Sequence, residues 1–174
     1  MIPPEERRHL TSGPRPGEKP TGVALTDVIA EGADAQVILD RCREVLMTIL
    51  DHPESAWPST EEWARLLPAW FVAASSPQQT RAETEEWLAW WRTLSRADQA
   101  RAASERPWTL DDWLFWMNPA ERTWYWWEAD VEPDGTLRVV VEIPGSPTSY
   151  GSLEWLIRAA GATPVIRDAA SAIS

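Results

Sequence analysis

The sequence predicts an α+β domain in which a helical N-terminal half packs on a small C-terminal sheet made of a β-hairpin, a helix and a short strand. Two observations carry this prediction. Apolar residues recur at helical spacing in successive segments from Ala33 to Asn118, and from Arg122 the period switches to two around Glu132-Pro133-Asp134-Gly135. At 174 residues the chain is about one domain long. The domain is placed at residues 23–167, between a disordered arm at 1–22 and a tail at 168–174.

The arm holds five prolines and three glycines without apolar periodicity, the composition of a segment that cannot build a core. The first helix spans about Ala33 to Asp51, where Ala35, Ile38, Leu39, Cys42, Val45, Leu46 and Ile49 fall on one stripe. Cys42 therefore points inward as a packing residue rather than a nucleophile, and His52 sits at the helix C-terminus, where a cation suits the dipole. Ser59-Thr60-Glu61-Glu62 is a capping box that starts a second helix, which Pro68 breaks. Thr80-Arg81-Ala82-Glu83 repeats the device ahead of Trp87, Trp90, Trp91 and Leu94. Ser95 to Arg106 reads as a more polar helix. Thr109 then caps a fifth, flanked by Trp108 and Trp113 as a hydrophobic staple and ended by Asn118-Pro119. Trp63, Trp70, Trp87, Trp91, Trp113 and Trp116 all stand at core spacing.

In the C-terminal part, Arg122 to Val131 and Thr136 to Ile143 pair as a hairpin, with Pro133 at position i+1 of a type I turn and Gly135 in the left-handed residue after it. Ser152 to Ala160 forms a helix with Leu153, Leu156, Ile157 and Ala160 inward and Gly161 as its stop. Thr163 to Arg167 follows as a short strand, laid parallel to a hairpin strand by a crossover. The loop Pro144 to Ser149 offers backbone N–H groups to an anion but matches no phosphate-binding motif.

Composition excludes several functions. The net charge is −11, and residues 1–22 carry four basic and three acidic groups, so the rest is near −12. That charge disfavours nucleic acid and acidic membrane surfaces, and it favours a cationic partner. No apolar run approaches the roughly 18 residues of a membrane span. One cysteine, Cys42, and two histidines, His9 and His52, are too few for a structural zinc site or a disulfide, and no cofactor motif appears. The N-terminal residues lack an apolar signal region, so a cytoplasmic location is expected. The acidic pairs Glu61-Glu62, Glu85-Glu86 and Asp111-Asp112 sit in first turns or on helix flanks, where carboxylates complement the helix dipole. With neither histidine in a catalytic setting, no catalytic residue is assigned.

Thirteen tryptophans stand against two tyrosines and two phenylalanines. On the hairpin, pairing Val131 with Leu137 puts Ala129 opposite Val139, Trp127 opposite Val141 and Tyr125 opposite Ile143 as one apolar face. The other face then carries Trp124, Trp126, Glu128 and Asp130 with Arg138, Val140 and Glu142. Aromatic rings beside carboxylates suit recognition of a cationic group, so Trp124, Trp126, Glu128, Asp130 and Glu142 are the candidate partner-binding residues. The alternative is that helices cover this face and make both tryptophans core.

Thr123-Trp124-Tyr125-Trp126-Trp127-Glu128-Ala129, Val141-Glu142-Ile143-Pro144-Gly145 and the run from Leu153 to Ala162 resemble tryptophan-rich proteins of actinomycetes. The resemblance covers the last third of the chain. It implies a β-β-α arrangement and an actinobacterial source, and it carries over no activity and no site residue.

The functional expectation is a non-enzymatic, cytoplasmic protein-binding module, an inhibitory or toxin-neutralising partner of a basic protein being one version. Two alternatives stand beside it: a small carboxylate-based hydrolase with convergent acids in a deep pocket, and a carbohydrate- or peptide-binding module with exposed tryptophans.

Overall fold

A computed structural model describes residues 3–105 and 108–172. Its first element corrects the expectation of a disordered arm. Pro3–Ser12 form helix α1, with two prolines at the start, Glu5 and Glu6 in the first turn and His9 in the last. Few apolar residues mark this helix, because tertiary contacts hold it. Leu10, Glu6 and His9 are all buried where α1 packs on the sheet. Gly13, at φ 70°, ends it by donating its N–H to the His9 carbonyl.

Residues Ala24–Gly32 then form strand β1, to which the sequence reading assigns no element. Thr26, Val28 and Ala30 point into the core, while Asp27 and Ile29 on the other face are half-buried. Helix α2 (Ala35–Leu50) buries the seven residues of the predicted stripe, and the Asp34 side chain caps it on the N–H groups of Gln36 and Val37. Each of its fully buried Ile, Leu and Val side chains contributes about 1.5–3 kcal/mol. Burial pushes the Cys42 thiol up to about 12, so the sulfur is an inert packing group.

A short 3₁₀ turn at Glu54–Ala56 precedes α3 (Thr60–Leu66), which opens on the Ser59–Glu62 capping box. Pro68 separates α3 from α4 (Ala69–Ala74). The Thr80–Glu83 box opens α5 (Arg81–Trp91), and α6 (Arg96–Glu105) follows. Thr109 caps α7 (Leu110–Met117) through the N–H of Asp112. Of the six helical tryptophans expected in the core, Trp63 and Trp113 are fully buried. Trp70, Trp87, Trp91 and Trp116 are half-buried, and α5 buries no residue completely, so its stripe lies at the surface.

The sheet orders its strands β2 (Tyr125–Val131), β3 (Leu137–Ile143), β1 and β4 (Ala162–Ala172). All neighbours are antiparallel. The β2–β3 turn is as read, with Gly135 at φ 84° and its N–H on the Glu132 carbonyl. Helix α8 (Gly151–Ala160) buries Leu153, Leu156, Ile157 and Ala160 and stops at Gly161, φ 111°. The short strand expected beside the hairpin is longer and elsewhere. β4 runs in the same sense as β3 but pairs with β1, which occupies the place between them, and it takes up residues 168–172 of the expected tail. The sheet is thus not wholly C-terminal. One face packs on α2 and α8, with Trp63, Phe71 and Trp113 in the same core.

Candidate functional site

The hairpin face proposed from sequence is not a surface. A β-bulge between Trp126 and Glu128 inserts Trp127 into β2, so Trp126 rather than Trp127 opposes Val141, and Tyr125 opposes Glu142 rather than Ile143. One extra residue swaps the faces of what precedes it. Trp126 and Trp124 are both 0% exposed and belong to the core. Trp124 donates its indole N–H to Ser152 Oγ at 2.9 Å, and the Arg122 guanidinium lies 4.5 Å over its ring. Glu142 is also buried, its Oε1 accepting from the N–H and hydroxyl of Thr21 and the N–H of Gly22. Glu128 lies half-buried against Arg138, which also donates to Asp27 at 3.0 Å. Asp130 faces Arg138 in the ladder, as expected, and is exposed. The five residues are therefore not brought together as a recognition surface. Burial of both tryptophans also removes the chief support for a sugar- or peptide-binding platform there.

The chemistry sought on the hairpin is found instead between the 3₁₀ turn, α3 and α7. The hydrophobic stripe of α7 is Leu110, Trp113, Leu114 and Met117, at i, i+3, i+4 and i+7, and all four are buried. Phe115 is off that stripe and stays 54% exposed, edge-on to Trp116 at 5.3 Å. Opposite it, Trp57 leans on Trp63 at 4.8 Å, and His52 meets the same ring edge-on. Between these elements lies a groove of about 490 Å³, with Trp57, Trp63 and Phe115 as aromatic walls and Glu54, Asp111 and Glu121 as its acids. No lysine, arginine or histidine lines it among the described residues.

Each carboxylate is placed by local structure. Glu54 opens the 3₁₀ turn after Pro53. Asp111 stands in the first turn of α7 and accepts the Thr60 hydroxyl at 2.6 Å, which ties α7 to the start of α3. Glu121 follows α7 in a turn closed by its own N–H on the Asn118 carbonyl. The Ser59 backbone N–H, then its hydroxyl, holds the adjacent Glu62 carboxyl below the usual range, adding a fixed negative charge near the rim. The fully buried Trp63 ring backs the groove. Aromatic walls and acids together can hold a cationic side chain.

Sequence reasoning placed Asp111 on a helix dipole and Trp63 in the core, and it passed over Phe115, Glu54 and Glu121. One signal is present: Phe115, like Trp116, is an aromatic that the α7 stripe excludes. The acids come from segments sixty residues apart, and only the fold joins them. Among the described residues no cluster of three or more His, Cys, Asp or Glu side chains is arranged to hold a metal ion. No described helix is long and apolar enough to cross a membrane. Comparison with family models, with curated proteins and with solved structures finds no match to this chain.

Proposed function

We propose that this protein is a non-enzymatic, cytoplasmic binding module whose acidic aromatic groove between α3 and α7 receives a cationic segment of a protein partner. The observation that carries the reading is the juxtaposition of Phe115, Trp57 and Trp63 with Glu54, Asp111 and Glu121 in one groove that no cationic side chain lines among the described residues. A net charge of −11 steers a basic partner toward the surface, and aromatic anchors supply the contact area. The buried Cys42 thiol suits a reducing compartment. Inhibition of a basic enzyme or toxin is the concrete version, since the module would plug a positively charged site.

The test is capture from native lysate at low and moderate salt, with wild-type protein beside the triple variant Glu54→Gln, Asp111→Asn, Glu121→Gln. The expected result is a basic protein retained at low salt, released at moderate salt and not retained by the variant. Absence of a salt-sensitive partner, or equal retention by the variant, overturns the proposal.

A further inference from the structure

Ser76 and Trp108 close the base of a helical arm. The Ser76 N–H donates to the Trp108 carbonyl at 2.8 Å, and α5 and α6 lie between these two points. The helices hold each other: the Trp91 indole N–H donates to the Gln99 carbonyl at 3.1 Å, and the Gln99 side-chain amide donates to the Trp91 carbonyl at 3.2 Å. No described residue of either helix is buried, so the arm presents surface and adds little to the core.

The tip of the arm is Arg92-Thr93-Leu94-Ser95-Arg96. Arg81 and Arg101 pair inside their own helices with Glu85 and Asp98, each at 2.7 Å. Arg92 and Arg96 are exposed, and among the described residues their guanidinium groups have no hydrogen-bond or ion-pair partner. Arg96 also opens α6, the end at which a cation opposes the helix dipole, so α6 gains nothing from it. The last turn of α5 sets Trp90 beside this tip.

Trp90, at 51%, and Phe115, at 54%, are the exposed aromatic side chains among the described residues. One stands next to two unpaired cations. The other walls a groove in which Glu54 and Glu121 have no carboxylate partner among the described residues and Asp111 accepts the Thr60 hydroxyl. The two surfaces match in charge and in the ring area each leaves open, and guanidinium groups suit both carboxylates and aromatic faces.

We propose that the groove between α3 and α7 receives the Arg92–Arg96 tip of a second copy of this chain, with the two arginines against Glu54 and Glu121 and Trp90 against Phe115. This rests on the reading of the groove as a receptor for a cationic segment, and it names one such segment. The exchange covers the groove until a basic partner displaces the tip. One tip in one groove is a small contact beside the roughly 1,200 Å² or more of stable complexes, so the association is weak and salt-sensitive.

The experiment is sedimentation velocity on the full chain over a concentration series, at low and moderate salt, with two charge-reversed variants. The tip variant is Arg92→Glu, Arg96→Glu, and the groove variant is Glu54→Lys, Glu121→Lys. All four side chains are exposed, so circular dichroism should show both variants folded as the wild type is. The wild type is expected to self-associate at low salt and to separate at moderate salt. Each variant alone should self-associate at least about tenfold more weakly, because like charges then meet. Mixed in equal amounts, the two should associate again, since a reversed tip meets a reversed groove. A wild type that stays monomeric at up to about 1 mM overturns the proposal. So does a mixture no more associated than its components. The tip variant keeps the groove intact, so a chain that stays monomeric yet retains a basic partner through the groove overturns the exchange alone.

Discussion

Glu6 and Arg122 form a buried ion pair that ties the first helix to the approach of the hairpin. Arg122 donates twice to the Glu6 carboxylate, at 2.6 and 3.0 Å, and the same carboxylate accepts the backbone N–H of Trp126 at 2.8 Å. Both side chains are almost fully covered. A buried pair of this kind adds little over an apolar replacement, but removing one partner strands the other charge, at a cost of about 3–5 kcal/mol. Glu6→Ala should lose stability of that order in chemical denaturation at pH 7. Glu6→Leu combined with Arg122→Met should recover part of it, since only the Trp126 N–H then lacks its partner. A loss below about 1 kcal/mol for Glu6→Ala would show that α1 is dispensable.

Glu18 makes the packing of the 15–18 turn on α1 pH-dependent. Its folded carboxyl titrates at about 2, below the ordinary 4.5, chiefly because the Arg15 backbone N–H and the Arg8 guanidinium favour the anion. A carboxyl depressed by folding contributes stability that is fully present above its unfolded value and is lost as pH falls toward the folded one. The expected window of loss is therefore between about 4.5 and 2. Denaturation midpoints across that window should fall for the wild type and fall less for Glu18→Gln. Parallel curves would mean that the turn at 15–18 contributes nothing to the fold.

Ser152 accepts from two tryptophans at once, Trp124 on its hydroxyl and Trp113 on its carbonyl, each at 2.9 Å. The contact joins the hairpin approach, α7 and the first turn of α8 at one residue. Ser152→Ala keeps the carbonyl and removes the hydroxyl, leaving a buried indole N–H unpaired at a cost of about 1–3 kcal/mol. Near-ultraviolet circular dichroism should change with it, because the Trp124 environment is the one altered. Ser152→Thr, which keeps the hydroxyl in a fully packed site, should fall between the two.

How much of this was legible depends on the kind of signal. The α2 stripe, the boxes at Ser59 and Thr80, the Thr109 cap and the Gly135 turn were readable because each rests on contacts within a few residues. The sequence marks β1 weakly, although Thr26, Val28 and Ile29 are β-branched, because its inward residues Thr26 and Ala30 are weakly apolar and the alternation is faint. Helix α1 has almost no apolar pattern. Its order depends on Arg122 and Trp126, more than a hundred residues away. The bulge at Trp127 was invisible for the same reason, and that one residue moved Trp126 from a predicted surface into the core. The acidic groove joins distant segments, so residue types could suggest its chemistry but not its location.

Phe115 and Trp113 sit two residues apart on α7 and should separate function from stability. Trp113 is fully buried, edge-on to Phe71 at 4.6 Å, with its N–H on Ser152. Trp113→Ala removes that packing and should cost about 3–5 kcal/mol. Phe115 is more than half exposed, and its ring contact with Trp116 is the main interaction it loses. Phe115→Ser should change stability by no more than about 1 kcal/mol. The same substitution removes an aromatic wall of the acidic groove, so retention of the basic partner should fall even though the melting temperature hardly moves. Neutralising Asp111 should act differently, by lowering the salt dependence and the association rate more than the dissociation rate, because charges steer and aromatic contacts hold. Surface plasmon resonance across a salt series resolves the two. If Phe115→Ser leaves the dissociation rate unchanged, the groove is not where the partner sits.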